Sequence, residues 1–567
     1  MGYPEQPTGT GHFPSTGGHP HQQYPPRQPP PGQARAGSAG PALLGVALLL
    51  PALIALIWSY VVPTFSTVLT SFREEDLFRA PRPAGVENYR TLFEDGFLSQ
   101  FGLVLLLALL PLALALVLAP LLSFVADRAG RLARLLARAV LALPVAAYAP
   151  VAVYLGWRLH RRDPEFSTDG ARLELAWAVA ATSFGLVVAV AATAYLSALR
   201  RREPGRWPYQ AMLTVGGVVG LAVLAGALQI YTAPALLTGG GPTRSTTTPV
   251  LGLVQVSFVT FRLGVGAASA TLLLVILGVL GLVATGLLLA SRARIDFDGW
   301  RDRPAASPGA AGGPSGLLVG IVVAALVVLL AVFAWASAPW LRHAFSSPDT
   351  PSGPNLPEVL VDTWLPPLVS AVVSVGLAAV AGFGIGALRP LGRWSELLLL
   401  PFAPWLFVGI GPLAIVGFKR ASENDQIDTF LGLIPPVWLS VPALFVFTLL
   451  FRGLAPKWRS GGDPARTLLL PALPMLAAAV LLTWLVHAQQ LLWPLLVVHR
   501  VENAPAPLLA NMWTQQFRSS GGEILSLVLP LPLLVVFLLA FVALQIGYLD
   551  RLAIRTGRPP GEPDRGE

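Results

Sequence analysis

One polar group stands out in a chain that is otherwise a succession of apolar runs. Trp484, His487, Gln489, Gln490 and Trp493 all fall in the run 468–493. Amides and an imidazole hydrogen-bond hydroxyl groups, and flat indole faces cover apolar ring faces. The combination suits a sugar or another polar neutral solute. The alternative is a membrane-interface belt, in which Trp and Gln simply meet lipid headgroups; position along the chain leaves both open. Gln229 and Tyr231 hold a comparable place at the end of the run 212–231. For them interfacial placement is the better reading, because Tyr is common at that depth.

Other chemistry is scarce. The chain has no Cys, which removes disulfides, thiol catalysis and Cys-ligated metals. Its 7 His are scattered, three of them before residue 40, so no metal site is expected. The only lysines are Lys419 and Lys457, and neither follows a Gly-rich loop, so there is no phosphate-binding P-loop. The run from Thr238 through Gly239, Gly240, Gly241 and Pro242 to Thr248 lacks Lys and follows no strand; it reads as a turn-rich external loop. An ionisable side chain inside a membrane span is a functional candidate by default. None falls well inside any apolar run here, which counts against a proton- or sodium-coupled carrier. No catalytic constellation is present, so neither enzyme activity nor a cofactor is expected.

The elements that must position these residues are membrane helices. Of 567 residues, 54% are hydrophobic and 12% charged, against about 25% charged in soluble domains. The net charge of +9 sits in Arg residues flanking apolar runs, which points to membrane topology rather than nucleic acid. Runs of spanning length cover 42–62, 101–124, 139–157, 175–196, 212–231 and 265–290, then 317–335, 368–388, 397–418, 431–451, 468–493 and 525–548. Basic loops follow the even-numbered runs, which makes those loops, and both termini, cytoplasmic.

The expected fold is all-α: a polytopic membrane protein of about 12 transmembrane helices, in two six-helix halves of like orientation. Residues 1–40 form a Pro/Gly-rich tail, 41–291 the first half, 292–315 a cytoplasmic linker, 316–556 the second half and 557–567 a C-terminal tail. The linker composition, charged and then rich in Pro, Gly, Ala and Ser, cannot bury enough apolar surface to fold alone.

Two family resemblances bear on function. Asp127-Arg128-Ala129-Gly130-Arg131, between the second and third runs, resembles an element of major facilitator carriers, which also have about twelve spans. That family's earlier Gly is Ser123 here, and the element does not recur in the second half. The first half as a whole resembles the permease subunits of sugar-type, maltose-transporter-like ABC importers. The residues are Pro51, Pro63, Ser71-Phe72, Gly85-Val86-Glu87-Asn88-Tyr89, Leu143-Pro144 and Trp157, then Thr238, Gly240-Gly241-Pro242, Thr246, Phe261, Gly264 and Ala267. The second half is similar to the partner permease of the same systems through Asp428-Thr429, Gly432-Leu433 and Trp493-Pro494-Leu495.

That resemblance implies a plasma-membrane permease working by alternating access. It also implies two separate ATP-binding cassette subunits, an extracellular solute-binding protein and a small-molecule solute such as a sugar. The family docks its ATPases on a Glu-Ala-Ala helix between the fourth and fifth spans. Here those loops hold Arg200, Arg201, Arg202, Glu203 and Gly205 in the first half and Lys457, Arg459 and Asp463 in the second, without Glu-Ala-Ala. Either the contact is remodelled and basic, or coupling is lost and the chain is a non-pumping scaffold or sensor.

Overall fold

A helix that is apolar on every side has no face to offer water and needs a nonpolar medium around it. The computed structural model describes residues 2, 39–75, 81–160, 167–200, 208–299, 316–345, 355–516 and 524–557. Among these, 10 helices are long and apolar enough to cross a membrane, or 11 if one bent pair is counted as a span. In the first half they are Ala42–Ser71, Phe97–Arg128, Thr168–Leu199, Tyr209–Leu237 and Leu263–Ser291. In the second they are Gly316–Ala344, Leu356–Leu388, Val441–Arg459, Ala465–Ala488 and Leu525–Arg551. Side chains such as Leu43, Ile54, Leu106, Leu109, Val327 and Leu539 stay exposed on their outer faces, an apolar surface far larger than a water-soluble protein carries. The fold is an all-α polytopic membrane protein, as its composition requires.

The third element of each half is broken. In the first half, Arg131–Ala146 and Pro150–His160 meet at 72°, just after Pro144. In the second half, the run 397–418 is not one helix. A 3-10 segment, Gly392–Trp405, ends in turns, and an α-helix resumes at Ala414–Glu423. Pro401, Pro404 and Pro412 lack the N–H that a helix needs, and Gly409 and Gly411 weaken it further. Each half also ends alike. The long helix of its fifth element is capped by a glutamine, Gln229 or Gln489, and a short helix follows, Thr232–Leu237 or Leu492–Val497. A half-length helix comes next, Pro249–Val259 or Ala506–Gln516, before the last span.

Pro41–Glu567 forms one compact unit, and the reason lies in the opening helix of each half. The first span ends against the sixth span of its own half but also runs along the second half: Tyr60 Oη donates to Leu439 O at 3.1 Å, the Trp438 N–H donates to Ser59 Oγ at 3.1 Å, and Trp405 Nε1 donates to Thr64 Oγ1 at 3.1 Å. The seventh span does the reverse. Trp157 Nε1 donates to Ala336 O at 2.7 Å, and the Trp157 and Trp335 rings meet edge-on at 5.1 Å.

At one end of the bundle the two halves are fastened by a β clasp. Two short strands, β1 (Arg73–Glu74) and β2 (Arg82–Pro83), first form an antiparallel ladder of their own in the loop after the first span. Strand β3, Arg294–Phe297, follows the sixth span, and β4, Leu552–Arg555, follows the twelfth. These two make the clasp. They pair antiparallel, Arg294 opposite Arg555 and Phe297 opposite Leu552. An antiparallel ladder has a local two-fold axis, and β3–β4 joins equivalent ends of two similar halves. We call this end the clasp face and the other the far face.

Candidate functional site

The polar group of the eleventh span is held in three directions. Trp484 Nε1 donates to Trp364 O at 2.7 Å, and its ring lies against Trp364 and Phe537 at 5.7 and 5.3 Å. Trp493 is buried and donates through Nε1 to Gly432 O at 2.9 Å; its ring also faces Gly417. Both indoles are thus packed on protein rather than presented together as a stacking platform. Gln489 is 1% exposed, and its Nε2 donates to Val528 O at 2.8 Å. Its Oε1 and His487 Nδ1 are buried and have no hydrogen-bond partner among the described residues. Gln490 is half-buried and donates its backbone N–H to His487 O at 3.2 Å. The unmet hydrogen-bonding capacity of the cluster therefore lies on His487 and Gln489.

Gln229 and Tyr231 are placed differently from a headgroup belt. Tyr231 is 8% exposed, inside the protein. Gln229 Nε2 donates to Phe407 O at 2.8 Å, and its Oε1 accepts the Gly409 N–H at 2.7 Å. Those backbone groups are freed by the break in the ninth element; the Phe407 carbonyl is part-buried and needs a partner, and the Gly409 N–H is exposed. One amide from the first half meets both.

The motif residues of the first half converge on the far face. Asn88 Nδ2 donates to Ser71 O and Arg73 O at 2.9 and 2.8 Å, and Ser71 Oγ and Tyr89 Oη lie 2.7 Å apart. A Cβ on Gly264 would lie 2.2 Å from Arg73 O, so only glycine fits there. The Gly-rich loop is closed on itself: Thr238 Oγ1 and Thr246 Oγ1 are 2.7 Å apart, and Gln255 Nε2 donates to Gly239 O at 3.1 Å. A cavity of about 10 Å³ lies beside Gln100, Thr247 and Ser269, room for a water but not for a sugar.

The clasp face holds a buried ionic network that the apolar runs did not suggest. The third element begins at Arg131, not at 139, so Arg134 and Arg138 belong to a helix. Arg138, 1% exposed, donates through Nε to Asp550 Oδ1 at 3.2 Å and through Nη1 to Gln545 Oε1 at 3.2 Å. Arg134 Nε lies 3.0 Å from the same Asp550 carboxylate, and Arg134 Nη1 lies 3.5 Å from Asp127 Oδ1. The second half answers with the charges exchanged. Arg389 and Glu396, spaced as Asp127 and Arg134 are, pair at 3.3 Å, and Arg452 reaches Glu396 at 3.2 Å. Gly130-Arg131 and Gly392-Arg393 hold matching places, both glycines at positive φ. Arg134, Arg138 and Asp550 lie just outside the apolar runs 139–157 and 525–548, on helix ends that extend past them.

Of the loop residues proposed to dock an ATPase, Arg200 and Lys457 are bound to the clasp segment. Arg200 Nε pairs with Asp298 Oδ2 at 2.8 Å; burial lowers its guanidinium below the usual arginine range, with Asp298 opposing. Lys457 Nζ donates to Phe297 O at 2.8 Å and Arg459 Nη2 to Ala387 O at 2.7 Å. Asp463 caps the eleventh span, with the Ala465 N–H 3.3 Å from its Oδ1. Arg201, Arg202, Glu203 and Gly205 lie outside the described residues, as do most of the 1–40 tail, the 300–315 part of the linker and residues 558–567.

No known family model matches the chain, and no curated protein matches it. What the molecule can do must therefore be argued from its own groups. Those groups are buried amides, an imidazole and ion pairs at the seam between two halves.

Proposed function

We propose that this chain is the membrane-spanning permease of a binding-protein-dependent ABC importer, with both permease halves in one polypeptide. It sits in the plasma membrane with the clasp face and both termini cytoplasmic. It moves a carbohydrate or similar polar solute by alternating access. Two separate ATP-binding cassette subunits drive the cycle, and an extracellular solute-binding protein delivers the cargo. The observation that carries this reading is the pairing of like-oriented halves, each with its opening helix laid on the other and its third element broken at their interface. Such an arrangement makes a seam that can open at either end. The grouping of Ser71, Asn88, Tyr89 and Gly264 in one half, and of Gly432 and Trp493 in the other, supports the same reading. Fusion keeps the halves at high effective concentration.

A second reading is favoured by one observation. In the second half, only residues 460–464 separate the helix ending at Arg459 from that starting at Ala465. So short a turn has no room for a docking helix of several turns. A chain uncoupled from any ATPase, acting as a passive path or scaffold, fits that turn. Uptake of labelled carbohydrates by cells with and without the chain, and with and without the co-expressed ATPase, separates the two. The importer reading requires uptake that needs both; uptake independent of the ATPase supports a passive path, and no uptake of any solute ends both transport readings.

A further inference from the structure

The two halves meet along two related seams, and the seams are built differently. In one, the sixth span of the first half packs on the ninth element of the second. A Cβ on Gly281 would lie 2.1 Å from Ala403 O, and Gly278 faces Pro404. That contact is apolar and backbone-tight. In the other, the third element of the first half packs on the twelfth span of the second, and its apolar packing gives way to a polar contact at the clasp end. Arg138 reaches Asp550 and Gln545 across it, and Arg134 joins Asp550 from the turn before. Gln545 Nε2 returns to Thr193 Oγ1 at 2.9 Å, and Arg138 Nη2 to Ser197 Oγ at 3.3 Å. In the second half, by contrast, Glu396 pairs with Arg389 and Arg452 of its own half.

This asymmetry has a physical consequence. A buried ion pair gains little net free energy, because desolvation nearly cancels attraction. Wetting both partners on opening therefore costs far less than breaking a tight apolar seam, where water restores nothing. A contact of this kind has two well-defined states, paired and dry or parted and hydrated, which is what a gate requires. We propose that Arg138 and Asp550, with Arg134 and Gln545, are the clasp-face gate of the path between the halves, and that the path opens there by parting this seam while the Gly281–Ala403 seam stays shut. The inference rests on the two-half transport reading for its role but not for its test.

The chain has no Cys, so one introduced thiol reports without background. Ala142 is 0% exposed and lies one turn deeper than Arg138 on the same helix face. Ala284, 0% exposed, lies beyond Gly281 on the other seam. The full chain carrying A142C or A284C is put into nanodiscs and treated with a membrane-impermeant maleimide. Asp550→Asn should raise the labelling rate of A142C by about tenfold and leave A284C unchanged. Should Asp550→Asn fail to fold, Gln545→Leu is used in its place, and the same two outcomes apply. No rise at A142C, or an equal rise at both sites, overturns the gate. Labelling that behaves as expected in a chain that moves no solute would leave the gate standing and sink the transport reading instead.

Discussion

Trp493 Nε1 donates to the carbonyl oxygen of Gly432 at 2.9 Å, and this bond joins the two stretches on which the second half's resemblance to a permease rests. Gly432 sits where a Cβ would lie 2.0 Å from Gln426 O, and Thr429 Oγ1 accepts its N–H at 3.1 Å. The loop is thus tight, and the indole holds it to the helix after the eleventh span. Trp493→Phe keeps an aromatic ring and removes the donor, leaving a buried carbonyl unmet. The expected cost is about 1–3 kcal/mol, read as a lower midpoint in tryptophan-fluorescence melting of the purified chain. An unchanged midpoint would show that the bond contributes nothing there.

Asp428, in the same loop, makes stability depend on pH. Burial alone would raise its carboxyl pKa, but the backbone N–H groups of Arg500 and His499 donate to it, and their side chains add positive charge; the net shift is downward. The N–H contacts are 2.9 and 2.7 Å. A carboxyl lowered on folding stabilises the fold fully above its unfolded pKa of about 3.9, and the contribution is lost as pH falls through the folded value. Wild-type protein should therefore lose more thermal stability than Asp428→Asn as pH falls from neutrality to below that unfolded value, since the neutral amide does not titrate. Parallel pH profiles for the two proteins would count against this account.

Part of this arrangement is legible in the chain alone. Apolar runs and flanking arginines place ten of the spans, because the bilayer demands both. The broken ninth element is hidden, since hydropathy is blind to Pro401, Pro404 and Pro412 breaking a run that is still apolar. The repeat of Gly130-Arg131 as Gly392-Arg393 is in plain view, but Asp127–Arg134 returns as Arg389–Glu396, and reversed charges defeat a search for like residues. Arg138 and Asp550 are 412 positions apart, and no local pattern links them. The role of Gln229 follows only once the break it serves is known.

That role is open to test. Gln229 supplies one donor and one acceptor to the break, so Gln229→Glu keeps the acceptor for Gly409 but turns an anionic oxygen toward Phe407 O. Gln229→Glu should destabilise more than Gln229→Leu, which leaves two groups unmet but adds no buried charge. Melting midpoints order the variants. The reverse order would place the side chain in water and return it to the solute path.

For the far-face cluster, Gln489 is held by the protein through Val528 O, whereas His487 Nδ1 has no partner among the described residues and Gln490 is half-buried, so the latter two are the side chains to vary. His487→Ala and Gln490→Ala should weaken solute flux severalfold while leaving expression and melting intact, because the flux loss is a loss of binding to solute and not of the fold. Trp484→Ala should instead lower stability, since it removes the Trp364 and Phe537 contacts and a hydrogen bond. Uptake kinetics unchanged in both His487→Ala and Gln490→Ala would assign the cluster to packing alone.

The clasp offers the sharpest steric test. A Cβ on Gly453 would lie 2.0 Å from Ile295 O, a backbone atom of β3 that cannot rotate away. The same helix anchors β3 through Arg452 Nη1 on Ala293 O at 3.2 Å and Lys457 Nζ on Phe297 O at 2.8 Å. Gly453→Ala must therefore push β3 off the tenth span, and β4 loses its partner with it. On Gly376, in the eighth span, an added Cβ would meet nothing within 4 Å, so Gly376→Ala gains helix propensity of about 0.5–1 kcal/mol without a clash. Hydrogen exchange at 294–297 and 552–555 should speed up in Gly453→Ala and stay slow in Gly376→Ala. Equal protection in both would mean that the two strands hold each other without the tenth span, and that the clasp is not braced by it.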